Sequence, residues 1–123
     1  MAKKVLLIED EEIILKLLQK KLIDEDYNVL IARNGEQGLK MIKKIKPDII
    51  LLDIIMPKMN GFEVMEEISK DSSIKKIPII IISNSGQETE LSRAKELGAN
   101  DWLVKTEFNP QEVIKKVIKQ IGK

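Results

Sequence analysis

The 123-residue chain contains no cysteine and no histidine. Without cysteine there is neither a disulfide framework nor a thiolate metal site. Without histidine, the commonest general base and the commonest transition-metal ligand are both missing. A charge excess of one sign is nearly absent too: 21 Lys and Arg against 20 Asp and Glu leave a net charge of +1. That balance gives no reason to expect a nucleic-acid or membrane-binding surface. The apolar run near the start, Val5-Leu6-Leu7-Ile8, is far too short for a signal peptide or a membrane-spanning helix, so a cytoplasmic location is expected. Met1 reads as a native start. No repeat, low-complexity segment or linker interrupts the chain, and its length suits one domain over residues 1–123.

What is present is a core: 43% of the residues are hydrophobic. The chain is organised around Ile49-Ile50-Leu51-Leu52-Asp53-Ile54-Ile55-Met56-Pro57-Lys58-Met59-Asn60-Gly61. Four apolar residues in succession predict a strand buried on both faces. Asp53 follows at its carboxyl end, and Pro57 and Asn60-Gly61 mark a loop. Ligands of open parallel α/β sheets bind at the carboxyl ends of the strands, which makes Asp53 a candidate. Many strand-ending Asp residues only start a turn or cap a helix, so the other strand ends decide between the two readings.

The rest of the chain alternates in the same way. Val5 to Ile8 is a strand ending in Glu9-Asp10-Glu11-Glu12, and the next helix is expected to bury Ile13, Ile14, Leu17, Leu18 and Leu22. Tyr27 to Ala32 is a second strand. Asn34 is placed to cap a helix carrying Leu39, Ile42 and Ile45 inward, and Pro47 stops it. A helix from Phe62 to Lys70 buries Val64, Met65 and Ile68, and the strand Ile79 to Ile82 ends in Ser83, followed by a loop at Asn84-Ser85-Gly86. The helix from Gln87 to Leu97 offers only Leu91, Ala94 and Leu97 to a core, with Gly98 as its stop. Such a helix is weakly anchored, which suits movement or a partner surface as well as plain exposure. Trp102 to Val104 is a short strand ending in Lys105. Asn109, Pro110 and Glu112 sign the start of a last helix with Val113, Ile114, Val117, Ile118 and Ile121 inward.

Five strands alternating with five helices predict a doubly wound α/β domain with a parallel sheet. Right-handed crossovers then bring Glu9, Asp10, Asp53, Ser83 and Lys105 to one edge. Taken singly, the acids could be helix-start residues, Ser83 a turn residue and Lys105 a surface lysine. Together, three neighbouring carboxylates repel one another and must protonate or recruit a cation, and oxygen-only ligation suits Mg²⁺. Lys105 and Ser83 add groups able to hold a phosphoryl oxygen, so Asp53 can be a nucleophile that becomes an aspartyl phosphate.

These residues, with the segment Leu52 to Gly61 and Trp102-Leu103-Val104-Lys105, resemble the receiver domains of two-component response regulators over essentially the whole chain. The resemblance implies a CheY-like, flavodoxin-like (βα)₅ fold with strand order 2-1-3-4-5. It implies that Asp53 takes a phosphoryl group from a sensor histidine kinase or a phosphotransfer protein, the phosphohistidine being the partner's. Glu9, Asp10, Asp53 and the backbone carbonyl of Ile55 would hold Mg²⁺, Lys105 would bind the phosphoryl group, and Ser83 and Trp102 would be the switch pair. Trp stands where the family usually has Tyr or Phe. Thr106 stands where it usually has a proline in a cis peptide, a geometry costing about 3 kcal/mol before any other residue. Output would pass to a downstream protein target, from a monomer or a weak phosphorylation-dependent dimer. Ile55 and Ser85 fall where the family directs hydrolytic water. Neither carries a carboxylate or amide, so a long-lived phosphoryl group is expected. Two other functions fit the fold: a non-phosphorylated interaction module, and an Asp-nucleophile phosphohydrolase. The second would commonly carry an Asp at the position of Ile55.

Overall fold

Strand β3 (Ile49–Asp53) and strand β4 (Ile79–Ser83) are buried at every position, as their unbroken apolar runs require. Around them lie β1 (Lys4–Ile8), β2 (Asn28–Ala32) and β5 (Asp101–Val104), in the all-parallel order β2-β1-β3-β4-β5. The connecting helices are α1 (Glu12–Asp24), α2 (Gly35–Ile45), α3 (Gly61–Ser69), α4 (Glu88–Glu96) and α5 (Pro110–Ile121). This computed structural model describes residues 2–84, 86–107 and 109–123. The expectations placed on Met1 and Ser85 lie outside the described residues. Among those residues, no helix is long and apolar enough to cross a membrane.

Side chains alternate along each strand, so the sheet feeds two cores. Leu6, Ile8, Ile50, Leu52, Ile79 and Ile81 pack with α2, α3 and Ala94 of α4. Val5, Leu7, Ile49, Leu51, Ile80, Ile82 and Leu103 pack on the other face with Leu15, Leu18 and Leu22 of α1 and Val113, Ile114 and Val117 of α5. The stripe of α1 therefore differs from the expected one. Leu15 replaces Ile13 and Leu17, which are 83% and 46% exposed. Apolar residues cover more than half the circumference of this helix, and the sheet face selects among them.

Helix starts follow the sequence signals. The Asn34 side chain accepts from the Gln37 N–H, and Asn109 accepts from the Glu112 N–H behind Pro110. A full reciprocal capping box forms at α3 between Asn60 and Glu63, where the sequence reads as a turn. Gly98, with φ +105°, follows the end of α4 as expected. Tyr27 precedes β2 instead of opening it; its hydroxyl donates to the Gly122 carbonyl at 2.8 Å. The Lys3 ammonium donates to the Ile121 carbonyl beside it. The described residues include no cis peptide, so the Lys105–Thr106 bond is trans.

Candidate functional site

The strand register assembles the site one step at a time. Ile8 pairs with Leu52, which sets Glu9 beside Asp53 at the next position. Asp53 pairs with Ile82, so Ser83 lies one residue beyond, and Ser83 pairs with Val104, so Lys105 lies one beyond that. The Lys105 N–H donates to the Ser83 carbonyl at 2.7 Å and the Glu9 N–H to the Ala32 carbonyl at 3.0 Å, which carries the sheet's hydrogen bonding into the site. The two-residue period places Glu9, Asp53 and Lys105 on the α1–α5 face and Ser83 on the opposite one.

Glu9, Asp53, Ser83 and Lys105 are the four buried polar or charged residues among those described, while Asp10 is exposed. The Lys105 ammonium donates to Glu9 Oε2 at 2.9 Å and to Asp53 Oδ2 at 3.1 Å. A third carboxylate, Glu11 Oε1, lies 3.4 Å from the same nitrogen. Burial, and then the charge of Glu9, raise the Asp53 pKa to about 7, with Lys105 opposing both. Burial pushes the Lys105 ammonium down, but hydrogen bonds and charge from Glu9 and Asp53 outweigh it and its pKa is raised.

One lysine does not satisfy this cluster. Glu9 Oε1 is buried with no hydrogen-bond partner. Oxygens of Glu9, Asp10 and Asp53 all fall within 4.8 Å of one another. An all-carboxylate set with an orphaned buried oxygen fits a hard divalent cation.

The loop after Asp53 is held close. The Gly61 N–H donates to the Ile54 carbonyl at 2.7 Å, and any Cβ on Gly61 would collide with the Asp53 carbonyl oxygen. Only glycine lets α3 start this near β3. Lys58 in this loop adopts φ +69°, a strained backbone for a residue with a side chain. Ile55, two residues beyond Asp53, is 66% exposed.

Trp102 stands apart from the acidic cluster. It packs against the core on the α2–α4 face, and its Nε1 is buried without a hydrogen-bond partner. With Leu91, Ala94, Lys95 and Ala99 it lines a cavity of about 270 Å³ under α4. Arg93 holds α4 from the other side: its guanidinium lies 4.4 Å from the Phe62 ring centroid and 3.1 Å from Glu66 Oε1. Sequence reasoning missed Arg93, which carries no motif. It also missed the contact of Glu11 with Lys105, although a Glu at a helix N-cap is a visible anomaly.

Residues 5–118 match the model of the response regulator receiver domain. The alkaline phosphatase synthesis transcriptional regulatory protein PhoP of Bacillus subtilis is 38% identical over 113 residues, which are 92% of this chain and 46% of that protein. The chain spans about half the length of most of the curated relatives it matches. Chemotaxis protein CheY4 of Vibrio cholerae superposes with a TM-score of 0.90 at 31% identity, covering 98% of this chain and 99% of that one. The phosphorylated cyanobacterial phytochrome response regulator RcpA superposes with a TM-score of 0.87 at 27% identity, covering 98% and 94%. With the sheet order, the sequence match and the whole-chain superposition in agreement, the chain belongs to the response regulator receiver domains of two-component systems.

Proposed function

We propose that this domain is a phosphorylatable signalling switch in which Asp53 is the phosphoacceptor. The observation that carries this reading is the sharing of the Lys105 ammonium by Glu9 and Asp53 beside the unpartnered Glu9 Oε1. Glu9, Asp10, Asp53 and the Ile55 carbonyl are the proposed holders of Mg²⁺. When bound, the ion neutralises charge on the transferring phosphoryl oxygens. An Asp53 carboxylate oxygen attacks phosphorus, a P–O bond to Asp53 forms, and the bond from phosphorus to the donor breaks. The bonding pair leaves with the donor group, which is the imidazole of a phosphohistidine on a sensor kinase or phosphotransfer protein. Lys105 then pairs with a phosphoryl oxygen, and the Ser83 hydroxyl donates to another, because charge-assisted hydrogen bonds are the stronger ones.

These 123 residues contain no histidine, so the donor imidazole lies outside them. Output passes by protein contacts to a downstream target, from a cytoplasmic monomer or a weak phosphorylation-dependent dimer. Ile55 has no carboxylate to act as acid and base, which argues against turnover as a phosphohydrolase and for a long-lived adduct. The test is intact mass after incubation with Mg²⁺ and acetyl phosphate. A single phosphoryl adduct, mapped to Asp53 and absent from Asp53→Asn, is expected. No adduct would favour an interaction module, and multiple turnover of phosphate esters would favour the hydrolase.

A further inference from the structure

An ammonium group carries three N–H donors. Lys105 has three carboxylates around it, from Glu9 at 2.9 Å, Asp53 at 3.1 Å and Glu11 at 3.4 Å. At rest Glu9 and Asp53 each accept a hydrogen bond from the ammonium and Glu11 forms an ion pair with it, so a phosphoryl oxygen approaching Lys105 competes with three carboxylates. Glu9 and Asp53 have side chains only 1% and 3% exposed, so neither can leave Lys105 for solvent. The Glu11 side chain is 48% exposed and makes the longest of the three contacts. It alone can leave into water.

The helix does not account for this side chain. Glu11 is the N-cap residue of α1, a position that favours Ser, Thr, Asp or Asn, and its carboxylate makes no capping hydrogen bond. Its backbone is fully engaged. The Glu11 N–H donates to Glu9 Oε2 at 3.0 Å, and its carbonyl accepts from the Leu15 N–H at 2.9 Å. The main chain is thus fixed at the rim of the site while the side chain passes over the helix end and reaches the lysine. A residue that breaks the local rule beside a candidate site points to a role in that site.

We propose that Glu11 is a positioning residue acting through Lys105: its carboxylate pairs with the ammonium at rest, in competition with a phosphoryl oxygen on Asp53, and it swings into solvent when that oxygen arrives. The inference rests on the phosphoacceptor reading. Glu11 thereby sets the affinity of the resting site for a phosphoryl group without touching the group itself.

The experiment compares wild type, Glu11→Gln and Glu11→Asp, each with saturating Mg²⁺. Beryllofluoride, a phosphoryl mimic, is titrated by ¹⁹F NMR while the Lys105 side chain is followed by ¹H–¹³C NMR. Removing one half-exposed ion pair should tighten beryllofluoride binding about two- to five-fold in Glu11→Gln. Glu11→Asp should behave the same way, because the shorter acid is drawn to the cap and falls short of the lysine. Acetyl phosphate should phosphorylate both variants faster by a similar factor. The Lys105 signals should differ between wild type and Glu11→Gln at rest and coincide once beryllofluoride is bound. Equal or weaker binding by Glu11→Gln, with wild type saturating normally, would overturn the inference. So would a Glu11→Asp protein identical to wild type, since charge at the rim would then matter and reach would not. A wild-type protein that takes neither phosphoryl group nor mimic would overturn the phosphoacceptor reading first, and this inference with it.

Discussion

Helices α4 and α5 flank the same edge of the sheet from opposite faces, and they are held in different ways. In α5, Val113, Ile114 and Val117 are buried, Asn109 caps the start, and Lys3 and Tyr27 bind carbonyls at the end. In α4 only Ala94 is buried, the N-cap residue Gln87 makes no side-chain capping bond, and a cavity of about 270 Å³ lies beneath. Arg93 of α4 rests on Phe62 and pairs with Glu66 of α3. Apolar burial fixes a helix over a broad energy well, whereas one cation over one ring fixes it at a point. Stability therefore resides on the α5 side, and freedom to respond on the α4 side.

The contrast is open to direct attack. Ile114→Ala should lower stability by about 2–5 kcal/mol, enough to take roughly 10 °C or more from Tm, by loss of transfer energy and creation of a cavity. Leu91→Ala in α4 should cost less than about 1 kcal/mol, because that side chain is only partly buried. Similar losses in urea denaturation for the two variants would erase the distinction drawn here.

The buried cluster contributes separately from both helices, and pH isolates it. Asp53 has a folded-state pKa raised to about 7, above its ordinary value. A group raised on folding contributes stability that is fully present below its unfolded pKa and is lost as pH rises through the folded one. Without divalent cations, wild-type Tm should therefore fall from about pH 4 to about pH 8 relative to Asp53→Asn, and the variant should be the more stable by several degrees at neutral pH. Parallel Tm profiles for the two proteins would show that burial and the charge of Glu9 do not raise the Asp53 pKa.

A smaller effect is expected at the Arg93 contact itself. Arg93→Ala should cost about 1 kcal/mol, the sum of an exposed cation–π contact and a surface ion pair. It should also change Trp102 emission by loosening α4 over the ring. If emission is unchanged, α4 is held by something other than Arg93. The smallest effect is the response of Trp102 itself in the intact protein. Adding beryllofluoride after Mg²⁺ should produce a second change in fluorescence, reduced in Ser83→Ala. Identical spectra at saturation would remove Trp102 from the switch.

The sequence carried the frame of this molecule because its signals are local and strong. Four-residue runs such as Ile79 to Ile82 admit few alternatives, and each strand lies within a residue of its expected bounds. The meeting of Glu9, Asp53 and Lys105 was legible because parallel strands bring their carboxyl ends to one edge. What stayed hidden depends on contacts between elements. Seven apolar residues in and around the turns of α1 left its buried face ambiguous until the sheet chose Leu15. Asn60 read as a turn because Asn-Gly serves turns and caps alike. The enclosure of the Trp102 N–H, and the hold of Glu11 on Lys105, are distances that no spacing encodes.

The clasp of Lys3 on Ile121, and of Tyr27 on Gly122, has a topological consequence. The path of the chain is almost a closed ring, so a few linking residues could join these two points. New ends opened between the exposed Ser72 and Ser73 would lie at the edge opposite Asp53. In such a permutant β4 and β5 would come first in the chain and β3 last. The acidic cluster would still form, since its members are neighbours by order in the sheet and not by order in the chain.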